Sequence, residues 1–154
     1  MIIKILEILR IVGTGLGIFL AYYLGDTPEE ILHIMTPWIL GSIAGFSAIE
    51  GLLFAKKAAE ATGYEQGSDY QKQTGFAFLS FALMALLVYF AHWNPMANVT
   101  LVLTFLLFLL QSAINHGYNI FARKNTTWKN MIRPLLTALL IGVFWYPVQS
   151  VLMQ

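Results

Sequence analysis

Five stretches of the chain stay apolar for long enough to cross a lipid bilayer, with short polar segments between them. A bilayer core of about 30 Å takes about 20 mostly apolar helical residues, because a backbone amide left unbonded in lipid is prohibitively costly. The stretches run approximately over 5–24, 36–55, 76–93, 99–122 and 134–151. The expected fold is therefore all-α: one integral membrane domain over residues 1–154, a polytopic bundle of five transmembrane helices. Local signals support the partition. Asp26-Thr27-Pro28-Glu29-Glu30 supplies a capping residue, a first-turn proline and two acids suited to a helix N-terminus, which predicts a short outer interfacial helix near 28–35. Thr36-Pro37-Trp38 repeats the cap and proline at the start of the second span. High helix propensity over 55–61 carries that span beyond the membrane until Gly63, and Ser68 with Gln71 fits a capping box for the third helix. Lys4, Glu7 and Arg10 head the first stretch without a small-residue cleavage pattern, so that stretch reads as a retained span and not a signal peptide.

Basic residues set the orientation. With the N-terminus in the cytoplasm, Lys4, Arg10, Lys56, Lys57, Lys72, Arg123, Lys124, Lys129 and Arg133 all fall at or near the inner face, in the cytoplasmic loops 56–75 and 123–133 or at the flanking helix ends. The outer loops hold Asp26, Glu29 and Glu30 and no cation. Five spans then place the N-terminus in and the C-terminus out, in the plasma (inner) membrane. Tyr22, Tyr23, Trp38 and Trp93 cluster toward the outer interface, and Tyr64, Tyr70 and Trp128 toward the inner one.

Composition sharpens the class and removes several functions. The chain is 58% hydrophobic and 11% charged, whereas a soluble domain is about 45–50% apolar and about 25% charged. Cysteine is absent, which excludes disulfides, thiolate metal sites and cysteine nucleophiles. A net charge of +1 without a clustered basic face offers no footprint for nucleic acid. No histidine pair has metal-ligand spacing, and no catalytic or cofactor-binding signature occurs, so no metal, cofactor or catalytic residue is assigned. Asn98-Val99-Thr100 matches a glycosylation acceptor.

Small residues recur where helices should touch. Gly13, Gly17 and Ala21 on the first span, and Gly41, Gly45 and Ile49 beside Ala44 and Ala48 on the second, form two small faces expected to meet within the protomer. Polar residues inside the spans are costly and therefore informative. The inner half of the fourth span carries Gln111, Asn115 and Asn119 at four-residue spacing, with Ser112 and His116 alongside. Glu50 lies six residues before Lys56 and His116 seven before Arg123, which puts both about 9 to 10 Å inside the inner boundary. Arg10 reaches a comparable depth from the first span. Such a cluster either forms a structural network in which Arg10 pairs with Glu7 or Glu50, or lines a cavity open to the cytoplasm.

The segment from Gly63 to Gly75, with Gly63-Tyr64, Ser68-Asp69-Tyr70-Gln71 and Gly75 before a transmembrane helix, is similar to a family of small multi-pass prokaryotic membrane proteins of unknown function. Asn115-His116, Asn119, Asn125 and Arg133-Pro134 resemble the same family's pattern ahead of the last span. The resemblance covers the last two thirds of the chain and singles out Tyr70, Gln71, His116 and Asn119; a looser likeness is to DoxX-type membrane proteins. The candidate ligand-binding set is thus Glu50, His116, Asn115, Asn119, Gln111, Arg10, Tyr70 and Gln71. The function expected is a membrane protein that binds a polar or cationic small molecule or ion in a cytoplasm-facing cavity, for transport or sensing. It would work in the lipid bilayer as a homo-oligomer or with a membrane-protein partner. The alternative is an accessory or structural membrane subunit with no ligand; a third reading is a membrane enzyme with His116 and Glu50 as acid and base.

Overall fold

The structure is a computed structural model that describes residues 1–62 and 69–154. All regular structure among the described residues is helical: α1 (Ile2–Leu24), α2 (Pro28–Leu40), a π-helical turn (Gly41–Gly45), α3 (Phe46–Leu53), α4 (Ala55–Thr62), α5 (Tyr70–Phe90), α6 (Pro95–Arg123) and α7 (Trp128–Leu152). Four helices are long and apolar enough to cross a membrane, spanning Pro28–Leu53, Tyr70–Phe90, Pro95–Arg123 and Asn130–Leu152. Their outer flanks leave Leu83, Leu107, Ile114 and Leu139 more than half exposed, a lateral apolar belt that water would not tolerate. The chain is a membrane protein.

The helix from Pro28 to Leu53 is the centre of the bundle. It packs against α1, α5, α6 and α7, and half of its most apolar stretch is buried, more than in any other of the four. Its N-terminus forms as the sequence predicts, with the Thr27 hydroxyl accepting from Glu30 N at 3.3 Å and Glu30 Oε2 accepting from Asp26 N at 2.9 Å. The expected break at Thr36-Pro37 does not occur. Leu32, Met35 and Thr36 are fully buried, and the Thr36 hydroxyl donates back to Leu32 O at 2.7 Å, so the proposed interfacial helix near 28–35 is the first third of the central helix. Packing of that face outweighs the single bond lost at Pro37. Trp38 consequently lies about 15 Å along the helix from Pro28, beside Gly17.

Leu32, Thr36, Leu40, Ala44 and Ala48 are all buried, four residues apart. In an uninterrupted α-helix those steps would drift by about 160° around the axis. The π turn at Gly41–Gly45 takes up part of that drift, since its i to i+5 bonds hold more residues per turn. It also decides which small residues pack. A Cβ on Gly13 would stand 3.0 Å from Ser42 Cβ, and one on Gly17 would stand 2.5 Å from Trp38 Cβ, so the small face of α1 does meet the central helix. Gly41 and Gly45, however, border open space. A close backbone approach also joins α3 to α5, where a Cβ on Gly51 would lie 2.9 Å from Gln71 O and 3.0 Å from Gly75 Cα.

Helices α6 and α7 form the other half. The Asn94 side chain caps α6 by accepting from Met96 N at 2.8 Å, and Asn98, only 2% exposed, sits inside that helix, which closes the glycosylation motif to modification. Phe81 and Phe78 of α5 pack edge-on against Phe105 and Phe108 of α6, at 5.2 and 5.1 Å. At its far end α6 stops where Lys124 turns into the left-handed region (φ 54°), and Asn125 N returns to Asn119 O at 3.0 Å. Helix α7 then starts at Trp128, six residues before the proline expected to open the last span. The central helix is likewise followed by α4, after a break at Phe54 (φ −128°, ψ 27°). The expected stop at Gly63 and cap at Ser68 lie outside the described residues.

Candidate functional site

Helix order brings one end of the bundle together from the start of α1, the end of α3 with α4, the start of α5, the end of α6 and the start of α7. All nine Lys and Arg belong to those segments. Two buried polar assemblies form there.

The first joins α1 to α3. Glu50, 5% exposed, forms an ion pair with Arg10, whose guanidinium also donates to Phe46 O at 3.2 Å. Neither charge would persist there alone. Position 51 must be glycine for α5 to approach, and this close contact sets Gln71, in the first turn of α5, beside the residue next to Glu50. Tyr70 opens the same helix but is 62% exposed. The structure thus brings Arg10 and Glu50 together, sets the Gln71 backbone against Gly51 and leaves Tyr70 exposed.

The second assembly joins α6 to α7. His116, 3% exposed, has Asn130 Oδ1 2.7 Å from Nδ1 and Arg133 Nη1 2.8 Å from Nε2. A guanidinium can only donate, so Nε2 is the acceptor and Nδ1 carries the proton that it donates to Asn130. Asn130 in turn donates through Nδ2 to Asn125 O at 3.1 Å. The bonds run in one direction from Arg133 through His116 and Asn130 to the α6–α7 turn, and each polarises the next. His116 is held neutral with both nitrogens engaged, an arrangement that supplies neither a lone pair for a metal nor an idle nitrogen for proton transfer.

The Gln111, Asn115 and Asn119 stripe divides. Four residues turn a helix by about 400°, so each step rotates the face by about 40°; Gln111 and Asn115 are exposed whereas Asn119 is buried, donating to Asn115 O at 2.7 Å. Asn130 was not singled out by sequence, because Pro134 looked like the first turn of the last helix and residues 123–133 like a loop. The spacing of Asn130 to Arg133, three residues on one helical face, was the available signal.

Two grooves lie elsewhere. One of about 360 Å³ runs between α6 and α7 toward the opposite end, lined by Leu103, Leu107, Phe144, Trp145 and Val148 among others, and the second, of about 350 Å³, lies between the central helix and α5 at Trp38, Gly41 and Tyr89. The first includes no residue of the two assemblies, and the second is lined by Phe46, whose carbonyl accepts from Arg10. At that opposite end His33 stacks on Tyr89 and His92, with ring centroids 4.7 and 5.6 Å apart. Among the described residues no group of three or more His, Asp or Glu is placed to hold a metal ion.

The chain belongs to the family of unknown function DUF6790. The family match covers residues 2–148, nearly the whole chain. Both assemblies fall within it. No curated relative and no solved structure matches the chain.

Proposed function

We propose that this DUF6790 member spans the plasma (inner) membrane five times, N-terminus in and C-terminus out, with α1 as the fifth span, and holds a polar ligand at its basic, cytoplasmic end. Helix α1 carries Lys4, Glu7 and Arg10 over its first half, and the pairing of Arg10 with Glu50 removes most of the cost of placing a guanidinium there. The positive-inside rule puts the nine cations on the cytoplasmic side. The observation that carries the ligand reading is the directed chain Arg133, His116, Asn130: three polar side chains ordered in the inner leaflet, which lipid would otherwise expel. Bonding within the chain favours hydrogen-bond recognition over catalysis, so sensing or transport suits it better than an enzymatic role. Five helices are few to enclose a continuous pathway, and transport would call for an oligomer or a membrane-protein partner.

A second reading has its own observation. The Arg10 to Glu50 pair fastens α1 to α3, as an accessory or structural subunit would require. Thermal unfolding of purified His116→Leu separates the two. The ligand reading expects a folded variant that no longer gains stability from the polar small molecules that stabilise the parent chain. The accessory reading expects lost expression or assembly. Topology is tested by labelling Lys124→Cys and Glu29→Cys in the cysteine-free background: a membrane-impermeant reagent applied outside should reach position 29 and not 124, and the reverse would refute the threading.

A further inference from the structure

Two histidines far apart in the chain meet at the end of the bundle away from both assemblies. His33 lies in the second turn of α2, about 8 Å along the helix from Pro28, and His92 follows the last turn of α5. Helix α5 closes in a Schellman motif: Trp93 N returns to Val88 O at 3.2 Å and His92 N to Tyr89 O at 3.3 Å. His92, at φ 49°, fills the left-handed position that glycine usually takes there. Its exposed imidazole rests with the centroid 5.6 Å from that of the half-buried His33, whose ring also stacks on Tyr89. Among the described residues no ring nitrogen of either histidine takes part in a hydrogen bond. His116 is the contrast, since both of its nitrogens are engaged.

A zinc ion bound by two imidazoles at about 2.0–2.1 Å and a tetrahedral angle holds their ring centroids about 5 Å apart. That is close to the separation already present, so ligation asks for rotation of the rings and for no approach of the two backbones. Charge favours a cation here. Glu29 and Glu30 stand one turn before His33 and Asp26 just ahead of them, whereas all nine Lys and Arg belong to the other end. Imidazole suits zinc, nickel and copper, whereas magnesium and calcium take oxygen ligands. We propose that His33 and His92 together bind one divalent transition-metal ion of the zinc, nickel or copper class, with water in the remaining positions. The stacked pair is the metal-free arrangement, and the nearby acids draw the cation without joining the ligand set. The bound ion ties the central helix to the α5–α6 turn. This site is separate from the ligand reading at the basic end, and loss of either leaves the other standing.

The test reads the unfolding midpoint of the protein, free of any polyhistidine tag, in a neutral detergent during titration with zinc, nickel or magnesium chloride. Zinc and nickel should raise the midpoint and saturate at one ion per chain, and magnesium should not raise it. His92→Gly separates a metal site from a packing role, because glycine suits the left-handed position and leaves the closure of α5 intact. Its metal-free midpoint should stay close to the parent's while its apparent zinc affinity falls about tenfold or more. His33→Gln should lose zinc affinity to the same extent, and Glu29→Gln/Glu30→Gln less. With copper, the paramagnetic resonance spectrum of the parent should show two coordinated ring nitrogens and that of His92→Gly one. An equal rise with magnesium, no response to zinc or nickel, or a full zinc response in either histidine variant would overturn the proposal; should His33→Gln not fold, His92→Gly decides.

Discussion

The two polar assemblies handle a guanidinium in opposite ways. Arg10 meets a buried carboxylate from the neighbouring helix, so the two charges are balanced inside the protein. Arg133 meets a neutral imidazole whose other nitrogen is tied to Asn130, so that contact fixes its position by hydrogen bonding. The first arrangement makes a clasp, strong because neither partner tolerates being left alone; the second joins α6 to α7 through a directed chain of hydrogen bonds. Helix α5 lies between them, packed on both α3 and α6.

The sharpest way to break this contrast is to strand a charge. Arg10→Met leaves Glu50 buried without its cation and should cost about 3–5 kcal/mol in equilibrium unfolding, whereas Arg10→Met with Glu50→Leu should recover most of that loss. A double variant as unstable as the sum of the single ones would show that the two groups do not act as a pair. His116→Leu should cost less, about 3 kcal/mol at most, because it strands a partially exposed guanidinium and one amide instead of a buried ion. An equal or larger loss than in Arg10→Met would erase the distinction between an ionic clasp and a hydrogen-bonded chain. Gly51→Ala forces α3 and α5 apart beside the clasp and should cost about 1 to 2 kcal/mol, since the obstructing atoms are backbone. Gly41→Ala and Gly45→Ala face open space and should stay within about 0.5 kcal/mol of the parent in the same measurement.

Much of the membrane architecture could be read from the pattern of apolar runs, and Glu50 stood out because an acid inside such a run needs a partner. Its pairing with Arg10 was one of two choices, and depth alone could not separate Glu50 from Glu7. The partners of His116 were hidden for a different reason. Thr127 and Trp128 start α7 ahead of Pro134, and a proline seven residues into a helix looks the same in sequence as one at its first turn. The contact of Gly51 with Gly75 left no periodic trace, because each glycine stands alone on its helix. Gly41 and Gly45, which did have the period, turned out to line open space.

Local chemistry along the chain determined where helices form, which stretches lipid accepts and which end collects the cations, because each of those follows from the transfer cost of nearby residues. Tertiary structure alone decided which face of each helix turns inward. That choice depends on the accumulated rotation along the axis, and a single π turn or a helix begun six residues early reassigns every contact beyond it.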